Sequence, residues 1–219
     1  MWIENIFPAI NHQKGANMTN LEIEVKFYLD NIEEIRNRIR HAGGIFQNKE
    51  HENNIRFEDE NDSLIKNGAL LRLRQTSGNI LLTYKGKVLS PASECKVYDE
   101  REVTVSDFDE MINILSFIGY KPVQRYEKIR ETCRMGSALI CLDEMPYGNF
   151  IEIEGDAAAI RKTAESLGFE WKNRILTNYL AIFETLKQAY NLDFNDVTFD
   201  NFKNRGIDFQ SCLDLFTEG

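Results

Sequence analysis

The chain has 219 residues, 42% hydrophobic and 28% charged, with a net charge of −9. That composition suits one globular domain with appendages and a sizeable core. The acidic balance excludes general attraction to nucleic acid, so any anion site must be local.

No run approaches the roughly 20 apolar residues of a membrane-spanning helix, and no secretory signal is present. Cys95, Cys133, Cys141 and Cys212 have neither CxxC spacing nor the density of a disulfide framework, which favours a reduced, cytoplasmic setting. His12, His41 and His51 are scattered, which argues against a histidine zinc site.

In chain order, residues 1–17 lack a clean period and closely precede Met18, so they read as a leader or non-native start. The main domain is then expected over 18–190 and a tail over 191–219. From Leu21 to Leu29, apolar residues hold every odd position, while Glu22, Glu24 and Lys26 share the even face. Asp30 or Asn31 is placed to cap a helix burying Ile32, Ile35, Ile39 and Ala42, ended by Gly43-Gly44.

A strand from Ala69 to Arg74 puts Arg72 and Arg74 on one face. After a Ser77-Gly78-Asn79 turn, Ile80 to Lys85 completes a hairpin. Lys96 to Val105 places Glu100 and Glu102 together. Ser106 with Asp109 resembles a capping box for a helix burying Phe108, Met111, Ile112 and Leu115. Further strands carry Lys128 with Arg130, then Asp143, then Glu152 with Glu154. Helices are expected from about Asp156 to Gly168 and from about Ile175 to Tyr190. Leu192, Phe194, Val197, Phe199 and Phe202 make the tail too apolar to stand free, so it should dock on the domain.

One RxR or ExE pair is more often a solvated or cross-strand-paired face. Repetition along the chain changes the weighing, because the charged faces make sense together if the sheet curls until they meet. The expected fold is therefore α+β: a closed or nearly closed antiparallel β-barrel of about eight strands, with a charged tunnel and helices outside. Guanidiniums and ammoniums suit a polyanion. Oxygen-only acids suit hard divalent ions, Mg²⁺ or Mn²⁺. Together they point to a metal-bound triphosphate or polyphosphate, and no GxxxxGK run offers a P-loop instead.

The pattern Glu22-Ile23-Glu24-Val25-Lys26 resembles the ExExK hallmark of the CYTH, or triphosphate tunnel metalloenzyme, superfamily. That superfamily includes class IV adenylyl cyclases, thiamine triphosphatases and inorganic triphosphatases. The later elements follow in its order: Arg72 and Arg74, Lys85, Glu100 and Glu102, Lys128 and Arg130, Asp143, and Glu152 with Glu154. The resemblance implies phosphate binding by Lys26, Arg72, Arg74, Lys85, Lys128 and Arg130, with Lys26, Lys85 and Arg130 catalytic. It implies metal binding by Glu22, Glu24, Asp143, Glu152 and Glu154, and a supporting role for Glu100 and Glu102. Tyr98 stands where relatives often carry a basic residue, and Arg56 and Phe57 stand near a position where the small hydrolase branch carries a water-positioning Tyr. Tyr84 should face away from the tunnel.

Three functions follow from this resemblance. A divalent-metal-dependent phosphohydrolase acting on a nucleoside, thiamine or inorganic triphosphate ranks first. A class IV adenylyl cyclase comes second and a non-catalytic polyphosphate or nucleotide binder third. The expected partner is a small triphosphate, with no nucleic acid and no membrane, and a homodimer is allowed without a motif behind it.

Overall fold

The computed structural model describes residues 20–88 and 94–217. The leader expected at 1–17 lies outside the described residues. The strands are β1 (Leu21–Leu29), β2 (Ile45–Glu58), β3 (Ala69–Gln75), β4 (Ile80–Lys87), β5 (Lys96–Thr104), β6 (Lys121–Met135), β7 (Ala138–Met145) and β8 (Gly148–Glu154). They close into a ring in the order β1-β5-β4-β3-β2-β6-β7-β8, each antiparallel to its neighbours. Closure leaves an edge only where β6 runs past β7, which pairs with it from Ile129 to Met135. It also sets β1 and β8 on the wall opposite β3 and β2.

The helices are α1 (Ile32–His41), α2 (Ser63–Lys66), α3 (Phe108–Phe117), α4 (Ala157–Ser166), α5 (Tyr179–Ala189) and α6 (Phe199–Phe202). Asn31 caps α1, its side chain accepting from the N–H of Glu33 and Glu34. Asp107, rather than the expected Ser106, caps α3 by accepting from Glu110 N–H. Helices α1, α3 and α4 end alike: the N–H of Gly44, Tyr120 and Phe169 returns to the carbonyls of Ile39, Leu115 and Ala164. This closing bond needs a left-handed residue just before it, supplied by Gly43, Gly119 and Gly168 at φ of 84°, 98° and 83°.

Alternation decides the packing. The outward residues Val25, Phe27, Ile140, Leu142, Ile151 and Ile153 bury against Ile35 and Ile39 of α1 and Ile160 and Ala164 of α4. On the other side, Ile55, Phe57 and Leu73 meet Leu115 of α3. The inward positions are left to the charged residues.

Two elements depart from expectation. β2 is a long strand that the alternation did not reveal, because Gln47 to Asn54 is polar on both faces. α5 starts at Tyr179 rather than Ile175, because Ile175 donates its N–H to the carbonyl of Lys26 (2.7 Å) as an isolated β-bridge. Asn178 then opens the helix, accepting from Ala181 N–H at 2.8 Å.

α5 packs over one end of the ring, where Tyr179, Ile182, Phe183 and Leu186 share a core with Tyr126 and Phe150. The following segment buries Leu192, Val197, Phe202, Phe209 and Phe216 in that same core. Val197 also extends the β6 edge, accepting from Glu127 N–H and donating to Arg125 O. Among the described residues, no helix is long and apolar enough to cross a membrane.

Candidate active site

Inside the ring lies a cavity of about 1760 Å³. It exceeds the roughly 300–1,000 Å³ common for small-molecule sites, leaving room for a phosphate chain with its counter-ions. Its charged lining is set by strand register. Glu24 lies opposite Glu154, and Lys26 opposite Glu152, across β1 and β8. On the other side of β1, Glu24 faces Lys96 and Glu22 faces Tyr98.

Register thus gathers three acids. One carboxylate oxygen from each of Glu22, Glu24 and Glu154 lies within 4.8 Å of the other two. Like charges placed directly across strands repel, and the cluster's protonation reflects this. Burial first, then the neighbouring acids Glu22, Glu152 and Glu24, push Glu154 up to about 7 against the pull of Arg130. Burial also raises Glu22, although Lys85 opposes it. Glu24 is different: burial and Glu152 would raise it, but Lys96, Lys26 and Lys85 hold it below the usual carboxylate range.

A set of three carboxylates, Glu24 buried and Glu22 and Glu154 half-buried, with no soft ligand among them fits a hard divalent cation. A cation must displace the Glu154 proton to bind. Its affinity is therefore expected to rise as pH climbs through about 7 and to lose that dependence in Glu154→Gln. Mn²⁺ titration calorimetry at several pH values measures both; a flat wild-type profile would contradict the assignment.

Glu152 does not join the triad. Its carboxylate meets Lys26 Nζ at 2.8 Å and also pairs with Arg130. Burial alone would raise its pKa, yet Lys26, Arg130, Lys128 and Lys96 hold it well below the usual range. Asp143 is fully buried and its oxygens are taken. It accepts from Arg130 Nε (2.6 Å), Lys128 Nζ (3.3 Å) and Tyr179 Oη (2.8 Å).

The basic groups surround the rest of the cavity. Lys26 is 1% exposed and sits 4.2 Å from the Tyr179 ring centroid. Lys85 pairs with Glu22 and stands 3.5 Å from Glu100. Arg72 reaches Thr83 Oγ1 (3.2 Å) and Tyr126 Oη (3.4 Å), with Glu100 and Glu102 at 4.0 and 3.9 Å. Arg74 and Lys128 share Glu52 at 3.4 and 3.6 Å. Burial raises the Glu52 carboxyl, but Lys128, Arg74 and Arg130 win and hold it at about 2. Tyr84 is 42% exposed and points outward.

A sequence model of the CYTH domain matches residues 20–176. This chain belongs to the CYTH domain family. It is similar to a Methanocaldococcus jannaschii protein named "putative adenylate cyclase", at 26% identity over 167 residues, or 76% of this chain and 89% of the relative. A solved Pyrococcus horikoshii structure matches at a TM-score of 0.61 and 28% identity, covering 75% of this chain and 99% of its own. A Hippeastrum protein, described as having a dominant triphosphatase activity, matches at a TM-score of 0.53 and 15% identity, covering 75% and 95%. At that identity the likeness speaks for the fold alone.

Four tunnel groups were not among the site residues expected from the sequence. Lys96 bonds Glu24 at 3.0 Å and shares the parity of Glu100 and Glu102, so the basic residue sought at Tyr98 stands two positions earlier. Burial and the nearby Lys26 bring Lys96 down to about 8 against Glu24 and Glu152. Glu52 and Arg56 lie on the strand that alternation did not reveal. Tyr179 read as a core aromatic, and nothing in a helical period signals that its hydroxyl reaches Asp143.

Proposed function

We propose that this CYTH domain binds a small triphosphate with Mg²⁺ or Mn²⁺ in its tunnel and hydrolyses it. One observation carries this reading. A cluster of three carboxylates and a set of lysines and arginines face the same cavity.

The assignment of roles follows from the contacts. Glu22, Glu24 and Glu154 would hold the cation. Lys26, Lys85, Lys96, Arg72, Arg74, Lys128 and Arg130 would hold phosphoryl oxygens. Arg130 and Lys128 are fixed by Asp143, and Lys26 by Glu152, so their charges are aimed before a ligand arrives. Charge in phosphoryl transfer spreads over the equatorial oxygens, and preorganised cations stabilise it without reorganising. A divalent ion bound at the triad supplies further charge neutralisation and favours attack by an oxygen nucleophile. Asp143, which the family resemblance places in the metal set, would in this reading position Arg130 and Lys128. Glu152 would likewise position Lys26 and Arg130.

The second reading is cyclisation of ATP to cyclic AMP and pyrophosphate, and the name of the Methanocaldococcus relative favours it. Both reactions use the same clamp. Hydrolysis ranks first because water is always at hand, whereas cyclisation adds a demand on ribose orientation. A pure binder has no need of the acidic triad. The test is purified protein with Mg²⁺ or Mn²⁺, given ATP and inorganic triphosphate in parallel, with products separated by chromatography. Phosphate with ADP, or phosphate released from triphosphate, is expected. Cyclic AMP with pyrophosphate would move the reading to the cyclase, and tight binding without turnover to the binder.

A further inference from the structure

Arg56 faces the tunnel from β2 and belongs to none of the sets named so far. Its cross-strand neighbours are Arg72 on β3 and Gln124 on β6. The first is another guanidinium, and like charges directly opposite each other repel. The second spends its amide, with Gln124 Nε2 donating to the carbonyl of Asn195 at 2.8 Å.

The acids of the same strand face are committed elsewhere. Glu58, two residues on, accepts from the N–H of Leu64 (3.1 Å) and Ile65 (2.9 Å) at the start of α2. Glu52 serves Arg74 and Lys128, and Glu50 accepts from Ser77 Oγ at 3.3 Å. Arg56 Nε is buried and has no hydrogen-bond partner. Among the described residues, no carboxylate pairs with its guanidinium. Arg72 is only loosely neutralised, its nearest acids being 3.9 and 4.0 Å away. Two adjacent guanidiniums with this little counter-charge, lining one cavity, form a fork for an anion.

We propose that Arg56 is a phosphoryl-binding residue that acts with Arg72, gripping the triphosphate from the wall opposite the Glu22–Glu24–Glu154 triad. This rests on the tunnel being a triphosphate site. It adds that the ligand's negative charge spans the ring, from the acidic wall to the β2–β3 wall.

The test is titration calorimetry with inorganic triphosphate and Mn²⁺ on wild type, Arg56→Gln and Arg56→Lys, with thermal melts of each protein free of ligand. Arg56→Gln is expected to weaken binding about tenfold or more, on the scale of one lost charge-assisted contact, and Arg56→Lys to recover part of it. The ligand-free melting temperature of Arg56→Gln should equal or exceed that of wild type, because a repulsive pair is removed. Unchanged triphosphate affinity in Arg56→Gln would overturn the proposal. So would a binding loss matched by a fall in melting temperature, or a variant that does not fold, since each marks a structural role. A wild-type protein that binds no triphosphate would instead overturn the functional reading beneath it.

Discussion

Replacing Glu24 and Glu154 together by glutamine is expected to reduce cation-dependent turnover by about 10³-fold or more, given that a single preorganised electrostatic contact is worth about 10²–10³ in kcat. The two residues face each other across β1 and β8 and share a ligand cluster with Glu22. Their removal takes away most of the charge that attracts a cation. The basic groups stay in place, so inorganic triphosphate should still bind without metal. The variant relieves the repulsion between the two acids but takes from the buried Lys96 its carboxylate partner at 3.0 Å, so ligand-free thermal melts are read beside turnover. Turnover assays with Mn²⁺ and Mg²⁺, read beside calorimetry, separate these effects. Near-normal turnover in the double variant would remove the triad from the mechanism.

Asp143→Asn should act the opposite way. Asp143 is fully buried and supplies counter-charge to Arg130 and Lys128 while accepting from Tyr179 Oη. Breaking a buried ion pair by removing one partner costs about 3–5 kcal/mol. The lower end applies here, because Arg130 keeps Glu152 and Lys128 keeps Glu52. Denaturant unfolding should therefore show a loss of about 3 kcal/mol. Triphosphate affinity should fall as Arg130 loses its aim, while Mn²⁺ affinity stays as in wild type. Loss of Mn²⁺ binding with stability intact would return Asp143 to the metal set.

These two variants show what strand parity can and cannot tell. Alternation places Glu22, Glu24 and Lys26 on one face with no structural information, because a strand offers only two faces. It also gives the inward face of β3, β6 and β8, and with them the ring. Alternation does not give register. Glu152 and Glu154 have equal standing in the sequence, yet pairing sets Glu154 against Glu24 and Glu152 against Lys26. One therefore joins the acidic triad and the other an ion pair. Asp143 is placed by the same logic directly opposite Arg130, where a guanidinium takes its oxygens.

The remaining omissions have a different cause. β2 is polar on both faces through Gln47 to Asn54, so no period marks it there and Glu52 stayed hidden with it, while Arg56 is marked only by standing near the position of the hydrolase branch's tyrosine. Tyr179 lies beyond the segment matched by the CYTH family, which ends at residue 176. It reaches the tunnel only because α5 packs across the end of the ring, a tertiary arrangement that a helical period does not encode. The chain after residue 176 thus contributes to the site through Tyr179, which contacts both Asp143 and Lys26.

The most direct test of the account is a crystal structure with Mn²⁺ and inorganic triphosphate, using anomalous scattering to locate the metal. A manganese peak is expected among the carboxylates of Glu22, Glu24 and Glu154, with the phosphate chain running from it toward Arg72 and Arg74. Manganese bound away from these carboxylates, or triphosphate bound outside the ring, would contradict it.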